Sequence, residues 1–306
     1  MPKPGEFRVK HKERAAVNSR RRVAVIGSGG QLGSDLVAEF RRHETFEVIP
    51  LTRAQVDCTD IESVRKVVLQ LRPPIVVNCA AFVRVDECED QPQQAFAVNA
   101  LGALHVARAC AEAGSVCVYI STDYVFDGCK AGPYSESDST CPVNVYGASK
   151  LAGEILVRQT VSHWLIVRAA SLFGRTGARA KGGNFVDTIL AKAKAGEPLR
   201  IVNDMRMSPT YTRDAATALV GLLDAGADGL VHLTNEGACT WYEFAEQILD
   251  FVGSRVCIDP VSSEEYPTPA RRPKNSVLRS ERSLIKLRSW KDALKDYLID
   301  KGHVTV

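Results

Sequence analysis

No run of uncharged apolar residues in this sequence approaches the ~18 needed to cross a bilayer. The most apolar stretch, residues 73–83, is shorter and contains Asn78, so a membrane-spanning protein is excluded. No Cys-x-x-Cys pair occurs among the nine cysteines, and the six histidines are scattered, the nearest two being His11 and His43. A built-in transition-metal site is therefore not expected. The odd cysteine count, with thiols inside apolar segments such as Asn78-Cys79-Ala80 and Val116-Cys117-Val118, points to reduced, buried thiols in a cytoplasmic protein. There is also no excess of basic charge over the body of the chain. Residues 1–22 carry eight Lys/Arg against Glu6 and Glu13, whereas the whole sequence is only +3, which leaves the remainder slightly acidic. That remainder lacks the electrostatic footprint of a nucleic-acid binder. The first 21 residues read as a disordered basic leader: they have no apolar centre for a secretory signal, and two Glu with a single Ser disfavour a transit peptide.

What is present is an ordinary globular composition, 45% hydrophobic and 25% charged, on a chain of 306 residues, long for one ~150-residue unit. From Arg22 short β-branched runs (23–26, 46–51, 75–79, 116–120, 164–168) alternate with amphipathic ones (31–42, 61–71, 93–113, 144–159). That rhythm predicts a parallel sheet covered on both faces by helices. After about residue 170 it weakens: residues 174–183 read as a loop, with helices expected near 185–194, 214–224 and 241–251 and strands at 199–202 and 230–234.

The first strand runs into Gly27-Ser28-Gly29-Gly30-Gln31-Leu32-Gly33 and then a helix. In that context Gly27 permits the tight turn and Gly30 lets main-chain N–H groups approach a pyrophosphate. Gly33 allows the helix to pack closely, its N-terminus facing the anion. The expected fold is thus α/β, a Rossmann-type doubly wound parallel sheet. An NAD(P)-binding lobe would span residues 22–170, and residues 171–306 would form mainly a C-terminal substrate-binding lobe, some segments returning to the sheet. At the end of the second strand, where an acidic residue would favour NADH, stands Arg53, whose guanidinium suits the extra phosphate of NADPH. NADPH is preferred and NADH left open. Asp57 and Cys58 fall where the adenine would lie, and the small Ala80 and Ala81 leave room for the dinucleotide across the strand ends.

The fourth strand ends in Ser121-Thr122-Asp123-Tyr124, and Tyr146-Gly147-Ala148-Ser149-Lys150 follows on a helix. Tyr146 and Lys150, at i and i+4, share one helix face. A nearby ammonium is expected to stabilise the phenolate and bring the tyrosine toward a useful range for proton transfer. Tyr146 would act as the acid and Lys150 would tune it and hold the cofactor ribose, with Thr122 bonding the reacting oxygen. Tyr297 and Lys301 repeat the spacing, but no strand ending in Ser-Thr precedes them, so they are expected at the surface of a terminal helix.

At these residues the sequence resembles the dTDP-4-dehydrorhamnose reductase family of extended short-chain dehydrogenases/reductases. The shared segments are Gly30-Gln31-Leu32-Gly33, Val77-Asn78-Cys79-Ala80-Ala81, Val85-Asp86, Ser121-Thr122-Asp123-Tyr124-Val125-Phe126 and Pro142-Val143-Asn144-Val145-Tyr146-Gly147 through Glu154. Further matches lie in Asn203-Asp204, Ser208-Pro209-Thr210, Thr240-Trp241-Tyr242 and Tyr266-Pro267-Thr268-Pro269-Ala270-Arg271-Arg272-Pro273. The resemblance implies hydride delivery from NAD(P)H to the C4 ketone of dTDP-4-dehydro-6-deoxy-L-mannose, with Gln31 and Leu32 joining the cofactor site. It also implies Val85, Asp123, Ser171, Asn184, Arg271 and Arg272 as substrate contacts. The two arginines would supply cationic forks for a diphosphate on a proline-stiffened loop; Arg213 is a weaker candidate. Some members of the family bind Mg²⁺ at a dimer interface; Asp35 and Glu197 lie near the corresponding regions without naming a site, and a homodimer is left open. The sequence departs from the family at Ser171, where an aromatic residue is usual, and at Phe82-Val83-Arg84, which is bulkier and more basic.

Two other readings stay open beside a reductase of this or another nucleotide sugar. One is a non-catalytic NADP-binding regulatory subunit of the same fold, like the beta subunit of methionine adenosyltransferase. The other is an epimerase or 4,6-dehydratase, against which Tyr124 stands where the dehydratase acid pair requires Glu.

Overall fold

In the computed structural model residues 20–176, 182–282 and 285–305 are described; the expected leader, apart from Arg20 and Arg21, and part of the expected 174–183 loop lie outside them. The first strand, β1 (Arg21–Ile26), shows why the sheet is covered on both faces. Successive side chains of a strand point to opposite sides. Val23 and Val25 therefore enter one apolar core while Ala24 and Ile26 enter another.

After β1 come α1 (Gln31–Arg42), β2 (Phe46–Leu51), α2 (Ile61–Leu71) and β3 (Ile75–Asn78). Then follow α3 (Val85–Asp90), α4 (Pro92–Phe96), a π-turn over Ala97–Leu101, α5 (Gly102–Ala113), β4 (Val116–Thr122), α6 (Val145–Thr160) and β5 (Trp164–Ala169). The helix expected over 93–113 is in fact divided by that turn. Beyond β5 run β6 (Leu172–Phe173), α7 (Phe185–Lys194), β7 (Leu199–Val202), β8 (Arg206–Met207), β9 (Thr210–Tyr211), α8 (Thr212–Asp224) and β10 (Gly229–His232). The described chain closes with β11 (Cys239–Thr240), α9 (Trp241–Phe251), β12 (Ile258–Val261) and α10 (Trp290–Asp300). β12, parallel to β7, was not expected from the sequence.

The main sheet is parallel with strand order β10-β5-β4-β3-β1-β2. The chain steps from β1 outward to β2 and then returns to the other side of β1 for β3. In a doubly wound sheet this reversal opens a crevice beyond the carboxyl ends of the two central strands. Leu36 and Phe40 of α1 with Leu219 and Leu223 of α8 cover one face. Val64 and Val68 of α2, Val106 and Cys110 of α5 and Val157 of α6 cover the other. Each such side chain contributes on the order of 2 kcal/mol by leaving water, and together they make the rigid platform from which the strand ends project.

A third, aromatic core joins α7, α9 and α10 around Phe173, Tyr211, Phe244, Trp290 and Tyr297. Here the structure corrects the expectation for Tyr297, which is wholly buried rather than superficial. Its ring meets Phe173 edge-on at 5.4 Å and its hydroxyl donates to Asp187 Oδ1 at 2.8 Å. Lys301 pairs with the same carboxylate at 3.3 Å, so the Tyr297/Lys301 repeat is a joint between α7 and α10. No described helix is long and apolar enough to cross a membrane.

Candidate active site

The crevice is walled by the turn after β1 and the end of β3. Gly27 sits at φ 77°, and a Cβ there would lie 2.9 Å from Ala80 N, so the two strand ends meet backbone to backbone. A Cβ on Gly33 would stand 2.3 Å from Gly27 O, which is why α1 can begin directly against the turn. The N-cap of α1 is Gly30, with no side-chain cap for the first-turn N–H groups. Open N–H groups at a helix N-terminus suit a phosphate. Gln31 donates through Nε2 to Leu172 O at 2.9 Å, while its Oε1 is buried without a hydrogen-bond partner. Leu32 places its side chain in the first core rather than in the crevice.

Arg53, just past β2, is 80% exposed with a guanidinium nitrogen 3.8 Å from Asp57 Oδ2. Thr59 donates to Asp57 Oδ1 through both N–H (2.9 Å) and hydroxyl (2.7 Å), holding that carboxyl below its ordinary range. Cys58 is buried against Gly102, and burial pushes its thiol up. Ala80 and Ala81 are half-buried, and Ala80 N–H donates to Asn78 Oδ1 at 3.1 Å.

Thr122, Tyr146 and Lys150 converge beyond β4. The Thr122 hydroxyl donates to Asp123 Oδ1 at 2.9 Å, accepts from Tyr124 N–H at 3.2 Å, and faces the Tyr146 phenol. Lys150 is buried; its Nζ donates to Ile120 O at 2.6 Å and stands 4.1 Å above the Tyr119 ring. Burial pushes the ammonium down to about 7, against the opposing pull of the Glu154 charge. Tyr146, contrary to the sequence expectation, is held above its ordinary value. Burial disfavours the phenolate, and the ammonium is directed at a carbonyl and a ring instead of at the phenol. The result is a tyrosine kept protonated, as an acid requires. Burial also raises Asp123 to about 6, and its Oδ2 has no hydrogen-bond partner.

Three supporting residues escaped the sequence reading. Asn99, in the π-turn, holds Phe82 through its N–H (2.9 Å) and C=O (3.1 Å) and donates to Ser149 Oγ at 2.9 Å, while Ser149 in turn bonds Tyr146 O at 2.8 Å. A polar residue inside the apolar run 95–103 was the available signal. Glu154 and Arg168 form a buried bidentate pair at 2.7 and 2.8 Å, and Ser121 donates to the same carboxylate at 2.5 Å. This pair ties α6 to β4 and β5 directly behind Lys150.

The substrate candidates divide. Val85 opens α3, Asp123 adjoins Thr122, and Ser171 follows β5 with φ 43°, a left-handed conformation unusual for a residue with a side chain. Arg271 is exposed with no side-chain ion pair among the described residues. Arg272, read as a second open fork, is instead closed on Asp86 at 2.8 and 3.0 Å. Asn184 caps α7 through Oδ1 and donates to Gly174 O and Tyr297 OH, so its amide serves the fold rather than a ligand. Arg213 pairs with Asp300 at 2.8 Å. Asp35 accepts from Thr212, and among the described residues no group of three or more His, Cys, Asp or Glu side chains is drawn together for a metal, which leaves Mg²⁺ without support.

A doubly wound sheet with a glycine turn at its switch point and a Thr-Tyr-Lys set at the neighbouring strand end defines a short-chain dehydrogenase/reductase, an oxidoreductase class. Within it the chain belongs to the RmlD substrate binding domain family, which matches residues 21–302. It is 40% identical to the spore coat polysaccharide biosynthesis protein SpsK of Bacillus subtilis over 92% of this chain and 98% of that one. It is 38% identical to a dTDP-4-dehydrorhamnose reductase of Mycolicibacterium smegmatis, over 90% of this chain and 84% of the relative. A crystal structure of dTDP-4-dehydrorhamnose reductase from Bacillus anthracis in complex with NADP superposes with a TM-score of 0.88 at 36% identity, covering 92% of this chain and all of that one.

Proposed function

We propose that this protein reduces the C4 ketone of dTDP-4-dehydro-6-deoxy-L-mannose to give dTDP-L-rhamnose, with NADPH as reductant. The observation that carries the reading is the convergence of Thr122, Tyr146 and Lys150 beside the glycine turn. Residues 22–170 would hold the cofactor and residues 171–306 mainly the substrate. The fit to a dinucleotide rests on the close-packed Gly27 turn, the uncapped start of α1 and the unpartnered Gln31 Oε1. When bound, NADPH supplies the hydride. Gly27, Gly30 and Gly33 shape the pyrophosphate cradle, and Arg53 offers the charge that favours the 2′-phosphate over NADH.

Tyr146, kept protonated by burial, donates its phenolic proton to the oxygen at C4 as negative charge develops there. Thr122 holds that oxygen in line, and Lys150, whose ammonium is turned toward Ile120 O and away from the phenol, would hold the cofactor ribose. Asp123, beside Thr122, faces the sugar hydroxyls, and Arg271 meets the diphosphate. The nine free thiols fit a reducing compartment such as the cytoplasm.

The test is NADPH oxidation with enzymatically prepared dTDP-4-dehydro-6-deoxy-L-mannose, followed by NMR of the sugar. One NADPH oxidised per dTDP-L-rhamnose formed supports the reading. Cofactor binding without oxidation would replace it with another nucleotide sugar or a regulatory role.

A further inference from the structure

The segment carrying Arg271 and Arg272 is tied to the catalytic helix directly through Asn144 and indirectly through α3. Asn144 is the N-cap of α6, its Oδ1 accepting from Gly147 N–H at 2.8 Å. The other half of the same amide, Nδ2, donates to the main-chain oxygen of Arg271 at 2.7 Å, across 127 residues of sequence. Alongside, Arg272 grips Asp86 with both arms of its fork and lies beside Tyr124, whose ring meets that of Tyr146 edge-on at 6.0 Å. Helix α3 completes the frame: Asp86 also accepts from Ala270 N–H at 3.1 Å, and Glu89 accepts from Val145 N–H, the first residue of α6, at 2.9 Å.

A helix cap needs only an acceptor, and Asp, Ser and Asn serve about equally well. The Nδ2 donor does nothing for the helix. Asn is one of the few side chains that present an acceptor and a donor from one rigid group, and here the two halves join the start of the catalytic helix to the loop bearing Arg271. Prolines 267, 269 and 273 stiffen that loop, so a shift at its anchor is carried to Arg271 instead of being absorbed locally.

We propose that Asn144 is a positioning residue for the substrate: its divided amide fixes the main chain at Arg271 relative to Tyr146 and so sets the span between the diphosphate contact and the carbonyl to be reduced. The inference rests on the reading of Arg271 as the diphosphate contact. It predicts that affinity for a nucleoside diphosphate depends on the donor half of Asn144, whereas helix stability depends on the acceptor half.

The experiment is calorimetric titration of the full-length, NADPH-loaded protein with dTDP, for wild type, Arg271→Ala, Asn144→Asp and Asn144→Ser, together with steady-state kinetics and thermal melting. Asp keeps and even strengthens the cap beside the helix dipole, yet replaces the donor with a carboxylate facing a carbonyl. Ser keeps the cap and is too short to reach Arg271. Arg271→Ala is expected to weaken dTDP by ~10-fold or more, as loss of a charge-assisted contact does. Both Asn144 variants are expected to weaken dTDP by a similar factor and to raise KM for the sugar nucleotide more than they lower kcat, with melting temperature and NADPH affinity held. Wild-type dTDP affinity in Asn144→Asp, with Arg271→Ala impaired, overturns the positioning role alone. Wild-type affinity in Arg271→Ala removes the diphosphate reading and the positioning role with it. Parallel loss of NADPH binding and thermal stability in both Asn144 variants would reduce Asn144 to a structural cap, again overturning the proposal.

Discussion

Replacing Lys150 by Met separates what this residue does for the fold from what it does for the reaction. In the folded protein the ammonium is pushed down to about 7 from an ordinary 10.5, because it is buried. Between those two pH values the unfolded chain binds a proton that the folded chain has released. Stability must therefore rise with pH across that window, by up to about 1.4 kcal/mol per unit. At pH 7 the accumulated deficit is roughly 4 kcal/mol, an upper figure for the cost of housing the lysine. Met fills a similar volume without a charge, so Lys150→Met should be more stable than wild type near neutrality, and the advantage should shrink steadily toward pH 10. Urea unfolding of the cofactor-free protein at half-unit pH steps measures the difference, in which the titration of the thiols and of other groups cancels. Turnover should be lost in the same variant, because no ammonium then holds the cofactor ribose beside Tyr146. Parallel stability curves for the two proteins would refute the reasoning, showing that Lys150 keeps an ordinary ionisation despite its burial.

Tyr146→Phe should bind NADPH as wild type does while kcat falls ~10²-fold or more, the scale of a lost general acid; unchanged turnover would remove Tyr146 from the mechanism. Arg53→Ala should weaken NADPH by ~10-fold and leave NADH nearly untouched, since only the 2′-phosphate meets the guanidinium. Fluorescence titration with both cofactors decides the point, and equal losses for the two would mean that Arg53 faces solvent. Glu154→Gln should lower unfolding stability by about 3 kcal/mol, because Arg168 is left buried opposite a neutral amide. Adding Arg168→Met should recover part of that loss; a double variant worse than the single would show that the two residues do not act as a pair.

The central sheet was legible because its signal is local and repeated. Alternation of β-branched runs with amphipathic ones reports burial on both faces of each strand, and the turn from Gly27 to Gly33 marks the first crossover. Thr122, Tyr146 and Lys150 were legible because each sits at a fixed offset from a strand end or along a helix. What could not be read was pairing between distant elements. Glu154 and Arg168 look like ordinary surface charges in a one-dimensional pattern; only the meeting of α6 with β5 makes them a buried pair. The π-turn around Asn99 was hidden for a related reason: one extra residue per turn barely disturbs a helical period over 21 residues, yet it turns Asn99 toward Phe82 and the catalytic helix. Tyr297 was misplaced because the aromatic core that buries it is assembled from α7, α9 and α10, whose contacts no local pattern announces.

Arg271 and Arg272 show the same limit at its sharpest, since two identical neighbours divide into opposite roles. In an extended segment successive side chains leave on opposite sides. Once Arg272 turns inward to Asp86 and Tyr124, Arg271 is directed away from that contact, and it is indeed exposed. The division predicts unequal tolerance of lysine. A lysine at 272 keeps the charge but cannot close both arms on Asp86, so Arg272→Lys should lower unfolding stability by about 2 kcal/mol. Arg271→Lys should leave stability unchanged and weaken only dTDP, because a point charge still attracts a diphosphate without the fork. Chemical denaturation and dTDP titration of the two variants give four numbers. Loss of stability at 271, or of dTDP affinity alone at 272, would invert the assignment and place the substrate on the other arginine.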